Sequence, residues 1–182
     1  MNRLSLLLCL TLWTGCATTS GNRNLAAEEE NKRLAQAFTD EIYNQRRLDR
    51  IALYVSEDFE DQSPDAPPDA KGVDFVRKQA EASLEALPDL RFGIEHLLAE
   101  GDLVLIHWKA TGTDPKNLDG AGLPQPMTLH GQSLFRYRDG KIVESWDIVD
   151  RLGFLLQRGF KLLPPVPAPA PPVPAPSSPP AS

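Results

Sequence analysis

The stretch Met127–Asp150, MTLHGQSLFRYRDGKIVESWDIVD, decides the fold. At its centre Asp139-Gly140 suits the two positive-φ positions of a type I′ turn, so it predicts a two-residue hairpin. Apolar and polar residues alternate on both sides, the period of a half-buried strand. The expected strands are Met127–Tyr137 and Ile142–Val149. A two-residue turn pairs Arg138 with Lys141 and, counting outward, Phe135 with Glu144 and Ser133 with Trp146. One face then carries Ile142, Glu144, Trp146, Ile148 and Asp150 beside Leu129, Gly131, Ser133, Phe135 and Tyr137. This face is aromatic and apolar and is expected to line the interior, with Trp146 and Phe135 together. Val143, Ser145, Asp147 and Val149 fall on the other face. One extra residue in either strand, a β-bulge, reverses the assignment beyond it.

Upstream, Leu90, Phe92, Ile94, His96 and Leu98 alternate as a strand, Glu100-Gly101-Asp102 turns the chain, and Leu103–Thr111 returns. Gly112–Pro126, with three glycines and three prolines, reads as a loop. Before Pro88 the period is helical. Leu34, Phe38 and Ile42 form one stripe within Glu28–Tyr43, and Leu48–Val55 reads as a second, shorter helix. Phe59–Asp69 (FEDQSPDAPPD) reads as a loop. Gly72 opens a third helix with Val73, Val76, Ala80, Leu84 and Leu87 on one face. Helices first and an antiparallel meander after them imply an α+β cone. Three N-terminal helices pack on a curved, mostly antiparallel sheet, and a pocket opens between the first helix and the sheet.

The 182 residues carry 25 acidic and 19 basic side chains, a formal charge of -6, which argues against a nucleic-acid partner. Both cysteines, Cys9 and Cys16, precede the domain, so it has no disulfide framework, thiolate metal site or cysteine nucleophile. Arg3 followed by the apolar run Leu4–Trp13 reads as a signal peptide over residues 1–15. Thr14-Gly15-Cys16 resembles a bacterial lipoprotein signal, which implies lipidation at Cys16 and a membrane anchor. Trp13 stands where that pattern usually has leucine. Ala17, not an aspartate, follows the cysteine, which points to the outer membrane; an ordinary signal peptide cut at Ala17 would leave the protein periplasmic or secreted. Residues 16–27 read as a lipidated tether, 28–163 as the domain, and 164–182 as a proline-rich tail holding ten of the seventeen prolines.

Ordered pieces from about Asn31 to Phe160 resemble the SnoaL-like polyketide cyclase (ester cyclase) family, with the nuclear transport factor 2-like fold. They are Phe38 with Ile42-Tyr43-Asn44-Gln45, then Asp61-Gln62-Ser63-Pro64, Leu87-Pro88-Asp89-Leu90, Glu100-Gly101-Asp102, Trp108 with Gly112-Thr113, and Asp139 to Asp150. The resemblance implies a ring-closing aldol-type step without metal or cofactor, with an aspartate at the end of the last strand as acid/base. Asp147 and Asp150 are the candidates, and both hairpin parity and the family motif select Asp150. Tyr43, Trp108, Ser133, Phe135, Glu144 and Trp146 are the expected pocket residues. Desolvation by Trp146 and Phe135, with repulsion from Glu144, would raise the Asp150 carboxyl toward the range useful for proton transfer. The plainer role for Asp150 is to cap the strand end or pair with Arg151 or Arg158.

Departures temper the chemistry. Gln62 and Asp114 stand where the family's enzymes commonly carry histidine, and Gln125-Pro126 replaces a threonine-glycine. His96, His107 and His130 have no metal-ligand spacing, although His96 and His107 lie on neighbouring expected strands. Two functions stay open: a lipoprotein whose cone holds a small hydrophobic ligand, and a cofactor-independent cyclase or isomerase of a carbonyl compound. Pairing of two copies through the outer sheet face, half apolar at Leu134, Val143 and Val149, is also expected.

Overall fold

The computed structural model describes residues 24–163; the signal peptide, Cys16, most of the tether and the proline-rich tail lie outside the described residues. The elements are α1 (Leu25–Phe38), α2 (Ile51–Tyr54), β1 (Val55–Asp61), α3 (Gly72–Ala86), β2 (Arg91–Glu100), β3 (Leu103–Leu118), β4 (Pro124–Arg138), β5 (Lys141–Val149) and α4 (Arg151–Gln157). The sheet order is β1-β5-β4-β3-β2. The helices pack on one side of it, the α+β architecture expected.

Asn24 opens α1 by accepting the Ala27 N–H on Oδ1 at 3.2 Å. Asn31, Ala35, Phe38 and Ile42 then recur along one face and are buried. A π-helical segment, Thr39–Asn44, extends α1. The Thr39 hydroxyl donates to the Ala35 carbonyl at 2.9 Å, and the Gln45 N–H donates to the Asp40 carbonyl five residues back. This wider turn lays Tyr43 against Phe92, with ring centroids 4.7 Å apart. Asn44 locks it there, accepting the Phe92 N–H at 2.8 Å and donating to the Phe92 carbonyl at 3.0 Å. The core closes where the Phe38 ring meets Tyr54 and Phe135 edge-on.

The helix α4 was not expected, and three features of the sheet correct the sequence reading. First, β1 is a strand and runs parallel to β5, with Val55 opposite Ile142 and Asp61 opposite Ser145. Only Val55 and Phe59 point apolar side chains inward from a segment otherwise acidic or polar, and the register shifts between Val55 and Glu60. Its pairing therefore comes from β5 rather than from a clear alternation of its own.

Second, the expected loop from Gly112 continues as paired strand through Asp114, and Leu118 still pairs with Pro124. The hairpin tip is shaped by Asp119, whose Oδ1 accepts the Ala121 and Leu123 N–H groups.

Third, the β4–β5 hairpin has the expected turn but not the expected faces. Asp139 and Gly140 have φ of 52° and 75°. Arg138 pairs with Lys141 and Tyr137 with Ile142, but Arg136 then pairs with Glu144. Val143 is the extra residue, and both it and Ile142 are buried. Beyond it the parity reverses: Phe135 faces Ser145 and Ser133 faces Asp147. Phe135 and Trp146 lie on opposite faces of the sheet. Trp146 stacks outside under the Arg136 guanidinium, 5.6 Å from its ring centroid, while Arg136 bonds Glu144 and Asp102.

Candidate functional site

A cavity of about 500 Å³ lies between α3, the loop 62–67 and the concave face of the sheet. Phe38 and Tyr43 close one side, so α3 rather than α1 forms the main helical wall. Most of the lining is apolar: Phe59, Phe75, Leu90, Phe92, Trp108 and Phe135 are representative.

Four of the expected pocket residues, Tyr43, Trp108, Ser133 and Phe135, line this cavity. Glu144 and Trp146 do not; the Val143 bulge turns them to the outer face. Asp150 is exposed and caps α4, its Oδ1 accepting the Gly153 N–H at 2.8 Å. Asp150 thus caps the helix that follows rather than the strand end, while Arg151 pairs with Asp65 and Arg158 with Asp114. Asp147 lines the cavity instead.

Asp147 sits at the end of a hydrogen-bonded chain. The Trp108 indole N–H donates to Ser133 Oγ at 3.1 Å, and the Ser133 hydroxyl donates to Asp147 Oδ1. Trp108 can take this position because Gly131 is its cross-strand partner. A Cβ at Gly131 would stand 2.3 Å from Trp108 Cζ2. The Asp147 main-chain N–H donates to Ser63 Oγ at 2.8 Å, and the Ser63 hydroxyl donates to Asp61 Oδ1 at 2.5 Å. Ser63 thus ties β5 to β1 and to the loop that roofs the cavity, while Ser133 ties it to Trp108 of β3.

Burial pushes the Asp147 carboxyl above the usual carboxylate range, and the charges of Asp61 and Asp65 add to this. Hydrogen bonds from Ser133 and Ser145 oppose the rise without cancelling it. Burial, then the charge at Asp147, holds the Tyr43 hydroxyl above its ordinary value, so it stays a neutral donor. At the mouth, Arg151 pairs with Asp65 at 2.5 Å, and Phe154 of α4 completes the wall.

The sequence reading missed Asp61, Ser63, Ser145, Arg151 and Phe154 as wall residues. The usable signal was the apolar doublet Ile142-Val143 just after the turn: two adjacent buried residues in a strand mark a bulge. Gln62 and Asp114 have local duties. The Gln62 amide meets Glu60 at 3.1 Å, and buried Asp114 pairs with Arg158 at 3.0 Å. His96 and His107 do meet, stacked with centroids 5.5 Å apart on the outer face. Among the described residues no group of three or more His, Cys, Asp or Glu is gathered as metal ligands are.

Residues 33–158 match the family model described as SnoaL-like polyketide cyclase. No curated protein matches. Solved structures share the fold. A protein described as a polyketide cyclase from Acidithiobacillus ferrooxidans is 22% identical with a TM-score of 0.64, covering 71% of this chain and 94% of its own. AclR from Streptomyces galilaeus, described as a hydroxylase, is 27% identical with a TM-score of 0.61, covering 72% and 97%. IdmH from Streptomyces antibioticus, described as a polyketide cyclase, is 24% identical with a TM-score of 0.60, covering 71% and 99%.

Proposed function

The chain belongs to the SnoaL-like polyketide cyclase family, and from that premise we propose that its cavity binds a small hydrophobic carbonyl compound on which Asp147 acts as acid and base. The observation that carries this reading is a buried carboxyl held above its ordinary range in the wall of a mostly apolar cavity. Such a group exists in both protonation states nearer neutral pH, which proton transfer in both directions requires.

The chemistry needs no co-reactant. Asp147 as carboxylate removes a proton from carbon next to a carbonyl. The resulting enolate closes on a second carbonyl of the same molecule, and Asp147 returns the proton to the new alkoxide. The net change is an isomerisation. Ser133, polarised by Trp108, fixes the carboxylate while its proton comes and goes. Tyr43 supplies a neutral hydroxyl in the same cavity. Apolar walls select size and not identity, so the test is a panel of carbonyl compounds. Asp147→Asn should lose about 10²- to 10⁴-fold in turnover, the usual share of general acid–base catalysis. Undiminished turnover removes Asp147 from the chemistry. Ligand held by the wild type with no turnover leaves a binding protein and removes the acid/base role.

In the same reading the protein is an envelope lipoprotein held by lipidated Cys16, supported by the signal-like Leu4–Cys16 segment. Membrane fractionation of Cys16→Ala tests it; association unchanged from wild type counts against lipidation. Two copies pair through the outer sheet face; the bulge buries Val143 and turns Val149 into the cavity wall, so Leu134 alone of the expected residues stays on that face, where Leu98, Leu105, Leu134 and Trp146 align across four strands. Sedimentation showing a monomer at every accessible concentration removes that pairing.

A further inference from the structure

The buried stripe of α1 begins polar. Glu28 and Asn31 stand at i and i+3 ahead of Ala35 and Phe38. At 4% and 9% exposure they are nearly as withdrawn from water as the apolar residues that follow. Burying a carboxylate and an amide is costly, so their place on this face needs a reason. The Glu28 carboxylate accepts the Gly101 N–H of the β2–β3 turn at 3.0 Å.

Both residues line a second depression, of about 680 Å³, between the start of α1, the β2–β3 turn and the β4–β5 turn. It shares no residue with the cavity that holds Asp147. Tyr137 lines it from β4 and is 5% exposed. Among the described residues, the Tyr137 hydroxyl is the buried side-chain polar group left without a hydrogen-bond partner. Burial raises its pKa, so it remains a neutral O–H donor. Phenylalanine would fill the same space without an unanswered donor, so the hydroxyl points to a ligand that brings the missing acceptor.

The rim sets the charge of that ligand. Glu100, Asp102 and Asp139 join Glu28, and no lysine or arginine lines the depression. Asp102 is spent on Arg136 at 2.9 Å. Nearby cations are engaged elsewhere, Lys32 with Glu29 and Arg138 with Asp58. Among the described residues Glu100 and Asp139 meet no cation. The carboxylates are not gathered as metal ligands are, so an organic cation suits them better. An alkylammonium alone would answer the carboxylates but bring no acceptor to Tyr137, and a neutral alcohol would do the reverse. An ammonium and a hydroxyl on neighbouring carbons do both, and the Asn31 amide can donate to or accept from the same hydroxyl. We propose that this depression is a second binding site, for a water-soluble amino alcohol of sugar size, whose ammonium meets Glu28, Glu100 and Asp139 and whose hydroxyl accepts from Tyr137. The site stands independently of the Asp147 reading.

The test titrates glucosamine, glucose and cyclohexylamine into the full chain slightly below neutral pH, with the Gly101 and Gly140 amides followed by NMR. Glucosamine should shift both amides. Glucose lacks the ammonium and cyclohexylamine the hydroxyl, so each should bind at least about tenfold more weakly. Tyr137→Phe should weaken glucosamine about three- to tenfold while leaving thermal stability equal or higher, a combination that a structural role for the hydroxyl would not give. Glu100→Gln/Asp139→Asn, at two exposed positions, should weaken it about threefold, and added salt should weaken it too. No shift with glucosamine, or equal affinity in Tyr137→Phe, overturns the proposal and leaves the hydroxyl to water. Cyclohexylamine binding as tightly as glucosamine reduces the site to unspecific charge and overturns it as well. Binding that appears only in Arg23→Ala assigns the rim to the chain's own arginine, which precedes Asn24 at its edge, and also overturns it.

Discussion

Ser133 stands directly across the β4–β5 ladder from Asp147 and donates its hydroxyl proton to that carboxylate while accepting the Trp108 indole N–H. The bond favours the charged form of a group that burial pushes the other way, above the usual carboxylate range. Ser133→Ala should therefore move the Asp147 midpoint up, not down. It should also leave the Trp108 N–H without its partner, at a cost of about 1–3 kcal/mol. A carboxyl titration by NMR and a denaturant series check the two halves separately; a lowered midpoint would contradict the assigned direction.

Asp147→Asn should make stability less dependent on pH. A carboxyl whose folded pKa is raised binds its proton more tightly folded than unfolded. Its favourable contribution is complete below the unfolded value, about 3.9, and is lost as pH rises through the folded value. The stability of wild type relative to Asp147→Asn should fall across that window and stay level above it. Urea unfolding of both proteins from pH 3.5 to 8 reads this, and a constant difference would contradict it.

Gly131→Ala should destabilise the domain by about 1–3 kcal/mol, the range for overpacking a tight core. The added Cβ would meet Trp108 Cζ2 at 2.3 Å and the Ile148 carbonyl at 2.8 Å, and the second is backbone that cannot swing aside. Thermal unfolding unchanged from wild type would mean that the indole does not lie over the glycine.

Asp150→Ala and Trp146→Ala separate the two faces of β5. Loss of the Asp150 cap should cost about 1 kcal/mol through α4. Trp146→Ala removes a ring that stacks on Arg136 outside the cavity. Neither should weaken binding of an apolar cavity ligand, whereas Trp108→Ala should. Calorimetry with one ligand across the three variants decides it.

These variants also mark where the sequence was legible. The faces of β4 were read correctly, because Gly131, Ser133 and Phe135 alternate without interruption from the Asp139-Gly140 turn. The faces of β5 were reversed beyond one residue, Val143, because parity counting carries no memory of an inserted position. That single bulge accounts for the exchange of Asp150 for Asp147 and for the loss of Glu144 and Trp146 from the pocket. The strand β1 was hidden for a different reason. Its backbone is paired by β5, and its acidic side chains show almost no hydrophobic period. In α4 the period was present but inverted, with leucines outward, so it did not read as an ordinary packed helix.

The central claim is that Asp147 is the proton-holding group of the cavity, and a ¹³C titration of its carboxyl tests it most directly, with Asp147→Asn assigning the resonance. The predicted result is a midpoint clearly above about 3.9, shifted further when an apolar ligand fills the cavity and displaces water from the carboxyl. A midpoint at or below about 3.9, unmoved by ligand, would contradict the account.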